Sequence, residues 1–516
     1  MLRAMRNLLR LMGIARTLAR HDALFPLEAL KIAPAMTAPA RLLGRIGRRK
    51  AAGLRPGQRF ARALQDLGPS FIKFGQSLAT RADLLGEEMA ADLSELQDRV
   101  PHFPAEQARA TVEAELGRPL DDLFSSFEDI PVAAASIAQV HFAVTGEGRE
   151  VAVKVLRPGI ERAFARDLDL FYWLAETIER TQPSFRRRKP VDVVRTLAKI
   201  VEIEMDLGLE AAAASELAEN FTGDETFRVP EVDWRRTAKR VLTLARIDGI
   251  PIDERDALIE NGHDPGAVLE KAACAMFNQI FRDGFFHADL HPGNLFVGRD
   301  GAIQAVDFGI MGRLDIETRR YLAEILLGFL EGDYRRVAEV HFKAGYVPGH
   351  QPLDAFMQAC RSIGEPILGR PLNEISIARL LAQLFRVTET FQMETQPQLL
   401  LLQKTIMVAE GVGRRLSPDV NIWQLARPLI EEWMRENIGP EARLRDTARE
   451  LLSGLERLPR LVANVEKTAA MIAEGGLKLH PDSVRALAGE KRNPRGGFSP
   501  LWLIVALLAA ILVLLL

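Results

Sequence analysis

The chain has 516 residues, 47% of them hydrophobic and 26% charged, a composition of ordinary globular proteins that excludes a collagen-like or wholly disordered chain. The formal net charge of −2 provides no basic field, so a nucleic-acid partner is not indicated. The two cysteines, Cys274 and Cys360, exclude a zinc ribbon and a disulfide framework and indicate a reducing compartment. At about 150 residues per domain, the length predicts three to four domain-sized units.

The N-terminal segment, residues 1–55, is basic. Arg3, Arg6 and Arg10 recur at helical spacing among apolar residues, and no acidic residue precedes Asp22. We interpret this pattern as a basic amphipathic helix that lies on an anionic membrane surface. An ordinary solvated helix and an organelle transit peptide are the alternatives.

The following elements are predicted from periodicity and turn residues. Helical patterns cover 56–116, 160–182, 191–220, 268–283 and most of 316–480. Alternating apolar residues predict strands at 142–144, 151–155 and 241–247, with a turn at 145–148 and a hairpin over 294–306. Proline and glycine residues over 489–500 predict a linker.

The C-terminal segment, residues 501–516, contains no charged side chain. Extended back to Phe498, it would form a helix of about 28 Å, close to the thickness of one hydrocarbon core. We predict one membrane span or an inserted anchor. Lys491, Arg492 and Arg495 precede it and favour a cytoplasmic location for the rest of the chain. A buried C-terminal helix is the alternative.

A single lysine in an apolar strand is the first residue with chemical meaning. Lys154 lies in Val-Ala-Val-Lys-Val, where an unpaired buried ammonium would be costly, so it needs an acidic partner or a phosphate. Downstream, one predicted helix over 191–220 carries several acids, of which Glu202, Asp206 and Glu210 would share a face. An edge-strand lysine and a solvated acidic helix face are the simpler interpretations of each feature alone.

Two loop motifs complete a phosphotransfer layout. The sequence His-Ala-Asp-Leu-His-Pro-Gly-Asn occupies 287–294, and Asp-Phe-Gly occupies 307–309, in the order of kinase catalytic and metal-binding loops. Asp289 would orient the attacking oxygen, Asn294 and Asp307 would bind Mg²⁺, and Lys154 would hold phosphates.

The rival interpretation is a metallohydrolase. It uses His287, Asp289 and His291 as zinc or iron ligands. It leaves Lys154 and the Asp-Phe-Gly spacing unexplained.

The predicted nucleotide loop has alanines where kinases carry glycines. Its candidate nucleotide-binding residues are Ala133, Ala134, Ala135, Ser136, Ile137, Ala138, Gln139 and Val140. Each added Cβ restricts the backbone that would approach the phosphates. We therefore expect nucleotide to bind differently and protein-kinase-like γ-phosphate transfer to be suppressed. The alternative is an alanine-rich helix start.

Together these motifs resemble the UbiB family of atypical protein-kinase-like proteins over about 56–345. Lys73-Phe74-Gly75-Gln76 is similar to the family's KxGQ motif, and Glu204-Met205-Asp206 to its ExD motif. Residues 133–141 resemble its alanine-rich loop, and Glu210 its helix carboxylate opposite Lys154. The resemblance implies a two-lobed, predominantly helical α+β kinase-like fold. A helical extension would place Lys73 and Gln76 against Glu204 and Asp206 over the cleft, blocking protein substrates.

The resemblance also implies function. It indicates binding of ATP and Mg²⁺, ATP hydrolysis rather than protein phosphorylation, and support of ubiquinone biosynthesis at a bacterial inner membrane. The implied partners are membrane lipid, isoprenoid quinone precursors and other quinone-biosynthesis enzymes; a homodimer is compatible with the sequence. A small-molecule phosphotransferase of the aminoglycoside/choline-kinase type and a catalytically silent nucleotide-binding scaffold are the alternatives.

The domain boundaries predicted from these features follow the chain. They are a basic segment 1–55, a KxGQ extension 56–118, a small lobe 119–249, a large-lobe core 250–345, a helical region 346–488, a linker 489–500 and an anchor 501–516.

Overall fold

The computed structural model describes residues 2–23, 53–79, 87–94, 102–181 and 190–366 and, with gaps, 383–438. The N-terminal part is helical. Its helices are α1 Leu2–Arg20, α2 Pro56–Leu67, α3 Pro69–Ala79 and α4 Glu87–Ser94.

The small lobe is built on an antiparallel sheet with helices around it. Its elements are α5 Ala105–Leu116, α6 Leu120–Leu123, β1 Phe124–Phe127, β2 Ala133–Ala134, β3 Ala138–Thr145, β4 Glu150–Leu156, α7 Ile160–Thr181, α8 Pro190–Glu204, α9 Leu207–Asn220 and β6 Val241–Ala245. Strand β5, Phe227–Arg228, lies in the same stretch of the chain but pairs with Ile303 and Gln304 of the large lobe. The strand order is β1-β3-β4-β6, and β2 pairs with β3. The predicted hairpin of β3 and β4 is confirmed by antiparallel pairing of Ala143 with Val151.

The large lobe is mainly helical. Its elements are β7 Gly249–Pro251, α10 Arg255–Glu260, α11 Pro265–Phe277, β8 Phe285–His287, β9 Leu295–Gly298, β10 Ile303–Ala305, β11 Met311–Arg313, α12 Ile316–Glu331, α13 Tyr334–Lys343, α14 Leu353–Gly364, α15 Pro397–Leu416 and α16 Ile422–Ile438. The predicted hairpin at 294–306 is confirmed as β9 and β10. β8 pairs with β11, which brings the two motif loops together.

Strand β4 sorts its side chains onto two faces because side chains alternate along a strand. Val151, Val153 and Val155 are fully buried against a cluster that includes Phe103 and Val112. Ala152 and Lys154 therefore lie on the opposite face, toward the cleft between the lobes. The alternating sequence itself places the lysine there.

The predicted continuous helix over 191–220 is wrong, because the chain breaks it into α8 and α9. Asp206 has an extended backbone (φ −119°, ψ 91°), and its side chain accepts a hydrogen bond from the Gly208 N–H. It is the N-cap of α9, a role that aspartate favours over the helix interior. Glu202, Asp206 and Glu210 consequently do not share one helix face.

Helix α1 exists as predicted, but its arginines bind acidic side chains of α7. Arg3 and Arg6 contact Asp169, and Arg10 contacts Asp167. These arginines therefore have acidic partners within the fold, and the contact of this helix with an anionic membrane surface stays a prediction. Four large apolar side chains are also exposed on this helix: Met5, Leu8, Leu9 and Met12.

The part of the chain that the structure describes contains no helix long and apolar enough to cross a membrane. The predicted linker 489–500 and anchor 501–516 lie outside the described residues.

We predict that the α1 ion pairs differ in their contribution to stability. Asp167 is 4% exposed, and Arg10→Met leaves this buried carboxylate with the more distant and exposed Arg166, at 3.6 Å, so the substitution should lower the free energy of unfolding by about 2 kcal/mol. Arg3 is 47% exposed, and Arg3→Met should cost less than about 1 kcal/mol. Urea unfolding of both variants measures the difference, and equal losses would contradict this account.

Candidate active site

Lys154 joins two carboxylates from different parts of the chain. Its Nζ lies 2.8 Å from Glu210 Oε1 on α9 and 2.8 Å from Asp307 Oδ1 of the Asp-Phe-Gly segment. The Lys154 and Glu210 side chains are only 15% and 6% exposed, whereas Asp307 is 47% exposed. Burial alone would lower the pKa of Lys154, but Asp307 and Glu210 outweigh it and raise that pKa. The lysine is therefore a charged link between the lobes.

Asp307 occupies an unusual backbone conformation at the cleft. Its φ is +62°, a left-handed value that is uncommon for residues other than glycine and often marks functional sites. The next residue, Phe308, is fully buried and lies with its ring centroid 5.7 Å from that of His287. The positive charge of Lys154 holds the pKa of the Asp307 carboxyl well below its usual range. Lys73 adds to this effect more weakly.

His287 fixes the catalytic loop from within the core. Its Nδ1 accepts a hydrogen bond from the Asp289 N–H (3.1 Å), and its Nε2 lies 3.1 Å from the Val306 carbonyl oxygen. Burial lowers the pKa of His287, so the ring is neutral and donates through Nε2. The preceding helix ends in a π-helical turn, Asn278–Asp283, from which Gln279 accepts the His287 N–H.

These bonds argue against the metallohydrolase interpretation. Both ring nitrogens of His287 are used by the backbone, and His291 Nδ1 accepts the Gly293 N–H. Across the described ranges, no group of three or more His, Cys, Asp or Glu side chains is placed to hold a metal ion. The rival interpretation of a histidine-ligated metal site is therefore wrong.

Asn294 and Asp307 have the ligand chemistry that Mg²⁺ prefers. Asn294 lies at the end of a 3₁₀ turn, Pro292–Asn294, and its Nδ2 donates to the Asp289 carbonyl oxygen at 3.0 Å. This bond uses the amide nitrogen and leaves the amide oxygen available as a ligand. An amide oxygen and a half-exposed carboxylate are hard oxygen donors. The two residues therefore fit a magnesium ion.

Sequence reasoning missed one residue of this site, Lys404. It lies on α15, and its Nζ donates to Asp289 Oδ1 at 2.8 Å. Only 13 of the 67 basic residues are lysine, and this scarcity was the only signal in the sequence. Nothing in the helical pattern around Lys404 indicates a contact 115 residues away.

The alanine-rich segment forms a hairpin of β2 and β3, not a helix start. Ala133 pairs with Val140, and Val140 pairs with Lys154. Directly paired residues of antiparallel strands project to the same face, so these three residues share the cleft face. The turn between the strands is closed by the Ala135 N–H, which donates to the Ala138 carbonyl oxygen. Ser136, Ile137 and Ala138 are buried in and after this turn.

Gln139 lies on the opposite face of the hairpin, together with Ala134. Its amide makes two hydrogen bonds with the Phe103 backbone, at 3.1 and 3.2 Å, and its Nε2 lies 2.8 Å from His141 Nε2. Gln139 thus ties the small lobe to the chain segment before α5. This placement corrects the predicted nucleotide contact of Gln139, which is a structural residue here.

The KxGQ and ExD segments meet as the resemblance implies. Lys73 Nζ lies 3.1 Å from Glu204 Oε2, and both side chains are largely buried. Gln76, one turn further along α3, is partly buried. Asp206 instead caps α9, the helix that carries Glu210. The ExD segment therefore connects the extension to the helix that positions the Lys154 partner.

Comparisons with known proteins agree with this architecture. Residues 95–341 match the ABC1 atypical kinase-like domain, and residues 360–421 match the UbiB helical domain. A protein of Marinobacter nauticus named "Probable protein kinase UbiB" is 45% identical over 81% of this chain and 78% of its own length.

The chain belongs to the UbiB family. A Pseudomonas fluorescens relative of the same name is 43% identical over 89% of this chain and 85% of its own length. The structure of Rv3197 of Mycobacterium tuberculosis in complex with erythromycin is similar with a TM-score of 0.51 and 27% identity, covering 76% of this chain and 97% of that one. The kinase-like UbiB fold is thereby established.

We predict that Asp206 acts by capping α9. Asp206→Ala should lower the free energy of unfolding by about 1 kcal/mol because the Gly208 N–H loses its acceptor. Asp206→Asn keeps an acceptor oxygen and should be nearly neutral. Chemical denaturation compares the two variants, and an equal loss in both would show that the negative charge is required instead.

Proposed function

We propose that this UbiB-family protein binds Mg²⁺-ATP in the cleft and hydrolyses it. The observation that carries the proposal is the double ion pair of Lys154 with Glu210 and Asp307, at 2.8 Å each. Lysine held by a helix carboxylate is the arrangement that positions nucleotide phosphates in kinase-like sites. Asp289, fixed by His287 and Asn294, lies on the loop that would face the reacting phosphate.

Each side chain of the site would have a separate role in ATP hydrolysis. Lys154 would bind the nonreacting phosphates, and Glu210 would orient Lys154. Asn294 and Asp307 would hold Mg²⁺, which neutralises phosphate charge when bound. Asp289 would orient a water molecule whose oxygen bonds to the terminal phosphorus as the bond to the bridging oxygen breaks. ADP leaves, and the proton of the water passes to the Asp289 carboxylate and then to solvent.

Water is favoured as acceptor over a protein hydroxyl because the KxGQ extension lies next to the site. Lys73 pairs with Glu204 and is close enough to Asp307 to help lower the pKa of that carboxyl. A peptide substrate would have to displace this buried contact. A phosphorylated small product, in contrast, would support the phosphotransferase alternative.

We further propose that hydrolysis supports ubiquinone biosynthesis at the bacterial inner membrane, with the catalytic lobes on the cytoplasmic side. Membrane association would use the C-terminal segment 501–516 and the exposed Met5, Leu8, Leu9 and Met12 of α1. The partners would be membrane lipid, isoprenoid quinone precursors and enzymes of that pathway. Deletion of the gene in its own host followed by quinone profiling tests this role. Unchanged ubiquinone would contradict it.

We predict that the site variants separate metal binding from hydrolysis. Asp307→Asn should abolish the increase in nucleotide affinity that Mg²⁺ causes, because one of two metal ligands loses its charge. Lys154→Met and Asp289→Asn should lower the hydrolysis rate by about 100-fold or more. Calorimetry with and without MgCl₂, together with phosphate release, measures both effects.

The matched control is Lys239→Met, because Lys239 is exposed on the surface. It should bind and hydrolyse nucleotide normally. Unchanged turnover in Lys154→Met or Asp289→Asn would remove that residue from the mechanism.

A further inference from the structure

The catalytic loop of this chain lacks a positive charge of its own. Residues 287–294 contain no lysine or arginine. The cation that contacts the Asp289 carboxylate is Lys404, on α15 in the region that matches the UbiB helical domain. The helical region therefore supplies a positive charge to a loop of the kinase-like domain that has no lysine or arginine of its own.

Lys404 projects from a helix whose position is fixed by packing. Its neighbours Leu402 and Thr405 are buried, and the Thr405 hydroxyl donates to the Leu401 carbonyl oxygen at 2.9 Å. α15 packs against α11 and against β11, the strand that follows the Asp-Phe-Gly segment. The lysine is thus held beside both motif loops.

The Lys404–Asp289 pair is open to solvent. The two side chains are 40% and 34% exposed, unlike the buried Lys73–Glu204 pair, whose side chains are 14% and 8% exposed. Burial of the Lys73–Glu204 pair favours a lasting structural contact. Because the Lys404–Asp289 pair is exposed, a ligand can reach the Lys404 ammonium group without opening the fold.

The charges of the side chains around Asp289 indicate which kind of ligand would contact Lys404. A terminal phosphate that approaches Asp289 would be repelled by the carboxylate unless a cation lies between them. Lys154 already contacts Glu210 and Asp307. Lys404 is a compact ammonium with three donors, enough to contact a carboxylate and a phosphate oxygen together.

We propose that Lys404 binds the terminal phosphate of ATP while it orients Asp289. The helical region would then supply the phosphate-binding cation of the catalytic loop. This inference rests on the proposed function and assigns a substrate contact to the helical region.

The test is the ratio of affinities for two nucleotides. Calorimetry with MgCl₂ measures binding of ADP and of the β,γ-imido analogue of ATP to the wild type, Lys404→Met and Lys404→Arg. Lys404→Met should weaken analogue binding by about tenfold or more relative to ADP, because only the analogue carries the terminal phosphate. Lys404→Arg keeps the charge and should recover part of this preference. ADP binding also reports that each variant is folded.

Arg415→Met provides the matched control, since Arg415 lies on the same helix and pairs with Asp253 at 3.3 Å. It should leave the ratio unchanged. An unchanged ratio in Lys404→Met, or tighter analogue binding, would overturn the inference and identify Lys404 as a packing or blocking residue. A wild type that binds neither nucleotide would instead overturn the proposed function and, with it, this inference.

Discussion

The cleft is organised around Lys154, whose buried ammonium group would be costly to leave without a carboxylate partner. Lys154 faces inward because the valines on either side of it are buried on the other face of β4. Its ammonium group must therefore find carboxylates inside the protein. One comes from α9 and the other from the Asp-Phe-Gly segment, so a single side chain connects the small lobe, the helix beside it and that segment.

Two further lysine–carboxylate ion pairs lie around this site. Lys73 of the N-terminal extension pairs with Glu204, and Lys404 of the helical region pairs with Asp289. Three of only 13 lysines in the chain thus join motif carboxylates, each from a different region. Because Mg²⁺ and phosphates compete for the same charges, nucleotide binding would act on the kinase-like domain, the extension and the helical region together. This arrangement gives a physical reason for a kinase-like domain to be linked to two helical additions.

Much of this could be predicted from local sequence. Alternation in Val-Ala-Val-Lys-Val placed Lys154 on the correct face, and turn residues placed the hairpins at 145–148 and 298–301. The choice among acids depended on the resemblance, because an uninterrupted helical pattern concealed the break at Asp206. The alanine-rich segment pairs as a strand because β3 offers it a partner, which helix propensity cannot foresee.

Two of the differences from expectation come from long-range charge pairing. Arginines at helical spacing are typical of a membrane-facing helix, but Asp167 and Asp169, about 160 positions away, bind them in this fold. Lys404 was missed for the same reason, since its partner is distant in the sequence. Gln139 was assigned to nucleotide binding because the motif gives the order of the residues but not the sheet face on which each side chain lies. The register of β3 against β4 shows that Gln139 points away from the cleft.

The central claim is that Lys154 acts through its pairing with Glu210. A double-mutant cycle of Lys154→Met and Glu210→Gln, read out as the rate of Mg²⁺-dependent ATP hydrolysis, tests it most directly. We expect the double variant to be no more than a few-fold slower than the worse single variant, because either change disables the same pair. If the two losses in rate multiply in the double variant, Lys154 and Glu210 act independently and Lys154 does not act through this pair.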